Sequence, residues 1–320
     1  MRHCRLLPLL TLLWLCLPAQ AQDSLFSRPT LKVLHIGNSY TDDATALLQQ
    51  VAAHSGADLS NICLYKAVRG SGSFKSWCDV YNNCDDQYYW VTKVLGGLYA
   101  RVATGKGMPR NGLLFRELLS SVEWDLIILQ QVSGSAPYYE QWHGDGNGGH
   151  LDELLDILHR EQPKAAIGFA LVHSYWDHYG ANGEQSSLKR WQKTAQAVKS
   201  LQADHDIALL IPYGTAIENL RRTALNNDYD LTRDGTHLAY GLGRYTAACC
   251  YFEALIAPFT GTTVAGNPYR YDASNDNTKY PAVSVDDSNA DAAQRAAIQA
   301  VKHPFRLTKI RITQPAEVWK

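Results

Sequence analysis

Short apolar runs alternate with amphipathic stretches along most of the chain, and this pattern predicts strands that are followed by helices. Continuous apolar runs are typical of strands buried on both faces of a sheet. They lie at residues 31–36, 61–68, 125–129, 166–172 and 207–211. Helical spacing predicts a helix after the first run, capped by Thr41 or Asp42. It predicts further helices over 151–160, 188–201, 240–255 and 290–302. This alternation indicates βαβ units and a mostly parallel sheet covered on both faces.

One long stretch, residues 74–112, interrupts the alternation. It is rich in Trp and Tyr and has no clear periodicity, so we predict an irregular insertion at the surface. Its aromatic rings could form a sugar-binding wall or an ordinary satellite core, and both interpretations stay open. Residues 263–286 are polar and predict a tail that wraps the surface. Nothing requires a second domain within 22–320.

The first 21 residues predict a secretory signal peptide. Arg2 and Arg5 precede a mostly apolar run from Leu6 to Leu17, and Ala19-Gln20-Ala21 fits the small–x–small cleavage pattern. The run is too short for a convincing membrane span, and no other segment is a better candidate. We therefore expect an exported protein, periplasmic or extracellular after cleavage near Ala21, with no membrane span.

Charge and cysteine content exclude several classes of protein. Without residues 1–21 the chain has 28 Lys and Arg against 31 Asp and Glu, and it has no basic stripe, so a nucleic-acid partner is not expected. The five remaining cysteines fit no zinc spacing. Cys78 and Cys84 are a candidate disulfide, whereas Cys249 and Cys250 lie in an apolar helical run that predicts buried thiols. Histidines 143, 150, 173 and 178 lack metal-ligand spacing, so we expect no metal ion.

Residues that could take part in catalysis or binding follow the predicted strands or precede a late helix. Because ligands bind at the carboxyl ends of the strands in an open α/β sheet, we expect these segments to converge at one edge. The segments are Ser39, the Gly70–Gly72 loop, Gln130 to Ser133, His173-Ser174-Tyr175-Trp176, and Asp234 with His237.

Three of these residues have the chemistry of a proton relay. Ser39 must lose its proton as it attacks a carbonyl carbon, and His237 can accept that proton near neutral pH. Asp234, three residues before His237, can fix the imidazole tautomer and stabilise the imidazolium. The sequence therefore predicts a hydrolase that forms an acyl-enzyme on Ser39.

The tetrahedral intermediate of such a reaction needs preorganised donors for its oxyanion, each worth about 3 kcal/mol of barrier. Glycine suits such a position because its backbone can approach the substrate closely. The candidate donors are the backbone N–H groups of Ser39 and of Gly70 or Gly72, and the side-chain amide of Gln131, with Gln130 and Ser133 left open.

The chain resembles the SGNH (GDSL-type) hydrolases, and specifically an exported bacterial branch whose first block reads Gly-Asn-Ser-Tyr (DUF4886-like). The matching segments are Gly37-Asn38-Ser39-Tyr40, the Gly70/Gly72 loop, Leu129-Gln130-Gln131 and Asp234-Gly235-Thr236-His237-Leu238. The resemblance implies a flavodoxin-like, three-layer αβα sandwich. It also implies ester hydrolysis, often of acyl groups on carbohydrate, with no cofactor.

Two positions depart from the family pattern. Asn38 stands where the family usually has Asp before its serine, which keeps hydrogen bonds in the turn but removes a charge. Gln130 and Gln131 stand where the family usually offers Gly-x-Asn, with the asparagine amide in the oxyanion hole. The candidate substrate-binding residues are Asn38, Tyr40, His173, Tyr175 and Trp176.

Together these features predict a secreted serine esterase that removes acetyl or other small acyl groups, preferably from carbohydrate. Two alternatives remain open: a lipid acylhydrolase or thioesterase of the same fold, and a non-catalytic glycan-binding protein that has kept the fold. The intact Ser39, Asp234 and His237 argue against the second of these alternatives.

Overall fold

The structure is a computed structural model, and it describes residues 24–82, 89–102, 105–107, 113–178, 186–226, 229–276, 278–280 and 282–312. A seven-stranded sheet lies at the centre of this described part. Its strands are β1 (Leu31–Gly37), β2 (Ile62–Val68), β3 (Tyr89–Leu95), β4 (Gly105–Gly107), β5 (Leu126–Leu129), β6 (Ala166–Ala170) and β7 (Leu209–Ile211). Their order is β4-β3-β2-β1-β5-β6-β7, and the run from β2 to β7 is parallel.

Helices cover both faces of this sheet. They are α1 (Ser39–Thr45), α2 (Leu48–Ala53), α3 (Phe74–Asn82), α4 (Leu113–Ser120), α5 (Leu151–Glu161), α6 (Ser187–Asp204), α7 (Tyr213–Arg221), α8 (Leu242–Tyr251), α9 (Ala257–Thr260) and α10 (Ala290–Lys302). Side chains alternate between the two faces of a strand, so Leu126 and Ile128 join one apolar cluster while Ile127 and Leu129 join the other. The first cluster packs against α1, α2, α7, α8 and α10, and the second against α3 to α6. The predicted three-layer αβα fold is confirmed.

The parallel register brings several strand ends to one edge of the sheet. Gly37 at the end of β1 pairs with Val68 of β2, and Ile36 pairs with Leu129 of β5. The residues that follow these three strands are therefore neighbours, although they are far apart in the sequence. This edge carries the candidate site.

The prediction of irregular structure over 74–112 is wrong for the described parts of that stretch. It begins with α3, and then β3 and β4 add two antiparallel strands beyond β2. Tyr89 and Val91 are buried while the intervening Trp90 is partly exposed, so β3 has the period of a strand. Trp77, Tyr89 and Phe115 pack ring against ring, with centroids 5.0 to 6.1 Å apart. These rings belong to the core rather than to a sugar-binding wall.

The remaining predictions concern the cysteines, the signal peptide and membrane spans. Cys249 and Cys250 are fully buried in α8, as predicted. Cys84 lies outside the described residues, so its pairing with Cys78 stays a prediction, and the same is true of the signal peptide at 1–21. Among the described residues, no helix is both long and apolar enough to cross a bilayer.

Candidate active site

The turn between β1 and α1 carries Ser39. Helix α1 begins at Ser39 itself, and its N-cap is Asn38, whose side-chain oxygen accepts the backbone N–H of Tyr40 at 3.0 Å. The predicted caps, Thr41 and Asp42, therefore lie one turn too late, since an asparagine can cap as well as either of them. Glycine suits position 37, because a Cβ there would stand 1.9 Å from the Thr41 hydroxyl and would force it away from Gln130.

The three predicted relay residues lie within hydrogen-bonding distance of each other. His237 Nε2 is 3.0 Å from Ser39 Oγ, across 198 positions of sequence. On the other side of the ring, His237 Nδ1 is 2.7 Å from Asp234 Oδ2. Both distances are those of good hydrogen bonds. Since a carboxylate only accepts, Nδ1 donates to Asp234, and the neutral ring keeps Nε2 as an acceptor for the Ser39 hydroxyl.

The second oxygen of Asp234 organises the relay loop, residues 233–238. Asp234 Oδ1 accepts the backbone N–H of Thr236 at 3.0 Å and that of His237 at 2.7 Å, and also the Thr236 hydroxyl at 2.9 Å. Partial burial alone would raise the pKa of Asp234, but the N–H groups of His237 and Thr236 and the His237 ring outweigh it and hold that pKa well below its ordinary value. Asp234 is thus ionised and faces the imidazole.

The Asn38 side chain makes three hydrogen bonds that hold the serine turn. Besides capping α1, its oxygen accepts the Gln130 side-chain amide at 2.7 Å, and its own amide donates to the Gly72 carbonyl at 2.9 Å. A carboxylate at position 38 has no hydrogen to give to that carbonyl. This contact is a physical reason for asparagine at position 38. Asn38 is only 2 % exposed, so it supports the site instead of contacting substrate as predicted.

One of the proposed oxyanion donors, the backbone N–H of Gly72, has another partner. The Gly72 N–H donates to the Arg69 carbonyl at 3.0 Å and closes a tight turn, which corrects its assignment as a donor. Gly72 is needed there for packing, since a Cβ would meet the Gly37 carbonyl at 3.0 Å. The N–H groups of Ser39 and Gly70, by contrast, have no acceptor within the described part of the chain.

The two glutamine amides are also used in bracing contacts. Gln130 donates to Asn38 and accepts the Thr41 hydroxyl at 3.0 Å. Gln131 donates to the Gly148 carbonyl at 2.8 Å and accepts the Val132 N–H at 2.8 Å. Both side chains are buried. We therefore correct their predicted role, because each amide holds a loop beside the serine and neither faces solvent.

Sequence reasoning missed an amide at the same edge. Asn147 lies in the glycine-rich loop that Gln131 anchors, and its side chain is exposed. Its oxygen accepts the hydroxyl of Ser73, which follows β2, at 3.4 Å. The only sequence signal was an asparagine between two glycines, well separated from the strand that it approaches.

Tyr40 and His173 were predicted to contact substrate, but both are buried at 3 % and 2 % exposure. Their rings stack at 4.3 Å, and His173 Nε2 donates to the Thr236 carbonyl at 2.7 Å. Burial, helped by the charge of Arg221, lowers the pKa of His173 well below its ordinary value. A neutral His173 thus holds the relay loop through the Thr236 carbonyl. The prediction that Tyr40 and His173 contact substrate is corrected, because both side chains are buried.

Tyr175 and Trp176 are half-buried and lie at the surface of the site. The Tyr175 hydroxyl is 3.0 Å from the Ser133 hydroxyl, and the Arg190 guanidinium lies 3.9 Å from the Tyr175 ring centroid. The backbone N–H of Trp176 donates to the Gly235 carbonyl of the relay loop at 2.8 Å. The Trp176 ring lies 5.4 Å from the ring of Tyr229, a 41 % exposed residue that sequence reasoning missed.

The described residues contain no cluster of three or more His, Cys, Asp or Glu side chains that could hold a metal ion. His143 pairs with Asp152 at 2.7 Å, and His150 pairs with Glu153 at 2.6 Å. These histidines lie in and beside the glycine-rich loop, and their partners are carboxylates on α5.

Comparison with known proteins gives a family and several similar solved structures. Residues 32–290 match the profile described as domain of unknown function DUF4886. A DUF4886 family protein from Bacteroides uniformis is 25% identical in sequence, with a TM-score of 0.67 over 88% of this chain and 98% of that one. No curated protein matches the sequence.

Two more distant structural neighbours share less of the chain. A protein from Slackia heliotrinireducens, provisionally described as an SGNH hydrolase, is 16% identical with a TM-score of 0.42, covering 72% of this chain and 99% of that one. Phospholipase A1 from Streptomyces albidoflavus is 12% identical with a TM-score of 0.37, covering 65% and 92%. Likenesses of this size carry no argument about activity.

Proposed function

The chain belongs to the DUF4886 family, and we propose that it is a serine ester hydrolase that forms an acyl-enzyme on Ser39. The observation that carries the proposal is the unbroken hydrogen-bond chain from Ser39 Oγ through His237 to Asp234, at 3.0 and 2.7 Å. A buried structural serine would need no ionised, tautomer-fixing partner behind its histidine.

The reaction has two halves. His237 Nε2 takes the proton from Ser39 as Oγ bonds to the ester carbonyl carbon, and Asp234 stabilises the imidazolium that forms. The tetrahedral intermediate collapses, the C–O bond to the alcohol breaks, and His237 gives its proton to the leaving oxygen. A water molecule then attacks the acyl-enzyme with His237 again as base, which releases the acid and restores Ser39.

For the oxyanion we propose the N–H groups of Ser39 and Gly70, because neither has an acceptor within the described residues. The Asn147 amide is the third candidate, since it is exposed beside Ser73 at the same edge. It takes the place that the sequence-based interpretation gave to Gln131. Each such donor is worth about 3 kcal/mol of barrier.

The substrate we propose is a small acyl ester, such as an acetyl ester, carried on a carbohydrate. Trp176 and Tyr229 support the carbohydrate part, because their aromatic rings are adjacent and the Trp176 backbone is bonded to Gly235 of the relay loop. The Ser133 and Tyr175 hydroxyls offer polar contacts nearby. We also propose that residues 1–21 direct the protein out of the cytoplasm, as their composition predicts.

The test is labelling and turnover with the serine removed. Wild-type protein should react covalently with a fluorophosphonate probe and hydrolyse p-nitrophenyl acetate, and Ser39→Ala should lose the adduct and at least about 10⁴-fold of kcat. An unlabelled wild type would favour a non-catalytic glycan-binding protein. A p-nitrophenyl ester series separates the enzyme classes: a rate that rises with acyl length would favour a lipid acylhydrolase over the proposed esterase.

A further inference from the structure

A buried carboxylate lies one helical turn after Ser39. Asp43 on α1 is 1 % exposed, and it forms none of the relay hydrogen bonds itself. Its oxygens accept Arg233 Nη1 at 2.9 Å, Arg244 Nη2 at 2.6 Å and Nε at 3.0 Å, and the backbone N–H of Leu238 at 3.2 Å. No sequence motif pointed to this residue.

These partners enclose the relay loop from both ends. Arg233 immediately precedes Asp234, and Leu238 immediately follows His237. Arg233 also closes the loop on itself, since its N–H donates to the His237 carbonyl at 2.9 Å and its Nη1 to the Leu238 carbonyl at 2.6 Å. One carboxylate on the serine helix thus holds both ends of the segment that carries the base.

The second arginine ties the assembly to α8. Arg244 lies on that helix, and the ring of Tyr240 covers both guanidinium groups, 4.9 Å from Arg233 and 4.3 Å from Arg244. The side chain of Asp43 is 2 % exposed, so its pairing is little screened by solvent. Removing the carboxylate leaves two arginines that no longer have their shared acceptor.

We propose that Asp43 is a positioning residue that fixes the relay loop against α1 and so sets the distance between His237 Nε2 and Ser39 Oγ. The proposal rests on the proposed esterase function. Its physical basis is that a reacting pair displaced by about 1 Å can lose roughly 100-fold in rate, even when the displaced groups are chemically intact. The substrate contacts proposed above are not among the partners of Asp43, so we expect the loss in kcat.

The chain offers a matched control in the preceding residue. Asp42 also lies on α1, but its carboxylate is partly exposed and pairs with Lys66 at 2.7 Å, away from the relay loop. Asp43→Asn should lower kcat for p-nitrophenyl acetate by roughly 10- to 100-fold with KM within about twofold. Asp42→Asn, which removes the same charge from the same helix, should keep wild-type kcat.

Two further measurements separate positioning from folding. Variants are compared by thermal unfolding, and Arg244→Gln provides a second route if Asp43→Asn does not fold, because Arg244 contacts Asp43 without touching the Asp234–His237 segment. The low-field proton NMR signal of His237 Nδ1–H should shift or broaden in Asp43→Asn and not in Asp42→Asn. A folded Asp43→Asn with wild-type kcat and an unchanged signal would overturn the proposal.

The outcomes also separate this proposal from the function on which it rests. A wild type that neither hydrolyses the ester nor reacts with the fluorophosphonate defeats the esterase function itself. The positioning role of Asp43 is then tested by the low-field signal alone. That signal reports the geometry of His237 and Asp234 whether or not an ester is cleaved.

Discussion

The two halves of the candidate site are held by different means. Ser39 is placed by backbone structure, since it follows the central strand β1 and begins α1. The relay loop belongs to no strand of the seven-stranded sheet, and side chains from elsewhere hold it: Asp43 at its ends and His173 at the Thr236 carbonyl. The nucleophile takes its position from the sheet, with Asn38 bracing its turn, whereas the base is held by polar contacts from distant side chains.

The largest expected effect comes from the centre of the relay loop. In Asp234→Asn the amide oxygen can still accept the N–H groups of Thr236 and His237, but the other position can now present N–H to His237 Nδ1. That favours the wrong imidazole tautomer, so kcat should fall roughly 10³- to 10⁴-fold. Steady-state kinetics with p-nitrophenyl acetate measure it, and a fall below tenfold would show that Asp234 is not the orienting group.

A smaller effect should come from the serine half. Asn38→Asp removes the donor to the Gly72 carbonyl and places a charge in a buried turn. We expect a loss of about 1–3 kcal/mol of unfolding free energy and a kcat lower by roughly 10- to 100-fold, because the serine turn shifts. Chemical denaturation and kinetics are the measurements.

Asn61→Asp is the control for Asn38→Asp. It makes the same chemical change at an exposed position just before β2, at the opposite end of the strands from the site. Asn61→Asp should change neither the unfolding free energy nor kcat appreciably. If Asn38→Asp behaves like Asn61→Asp, the serine turn does not depend on the asparagine amide.

The smallest effect should come from the support beneath the relay loop. His173→Phe keeps a ring against Tyr40 but loses the donor to the Thr236 carbonyl, so kcat should fall by roughly tenfold, the equivalent of one hydrogen bond. The variant should also change acid stability. The folded protein keeps His173 neutral while the unfolded chain takes up a proton below its ordinary pKa of about 6.5, so the wild type loses stability as pH falls through that value.

His35→Phe is the matched control for His173→Phe. His35 is another fully buried histidine, bonded to the Tyr251 hydroxyl at 2.7 Å, with its pKa lowered to about 3 chiefly by burial. Both variants should flatten the decline of melting temperature below pH 6.5. Only His173→Phe should lower kcat, and equal kinetics for the two would show that the Thr236 contact does not position the relay.

The sequence was informative where function depends on local pattern. Apolar runs predicted the five parallel strands, and Asp-x-x-His predicted a carboxylate and an imidazole close enough to interact, because three residues of a loop can bring them together. Strand β3 was missed because Tyr and Trp stand on both of its faces and hide the alternation. Helix α7 was missed because it follows β7 with no polar cap or loop between them.

Other features were out of reach because they depend on distant partners. Asp43 and Arg233 are 190 residues apart, and the sequence around neither residue predicts a buried ion pair. The glutamines after β5 were recognised as unusual, but which groups their amides would meet depended on the path of the glycine-rich loop. Burial of His173 likewise depends on Tyr40 from another strand end.

The order of elements along the chain has a consequence for when the site comes into existence. Every strand of the seven-stranded sheet precedes the relay loop, and both that loop and Arg244 come after β7. During synthesis from the N-terminus, the strands of the sheet and the serine turn therefore emerge before His237. Until the relay loop lies against α1, Ser39 has no base beside it to accept its proton.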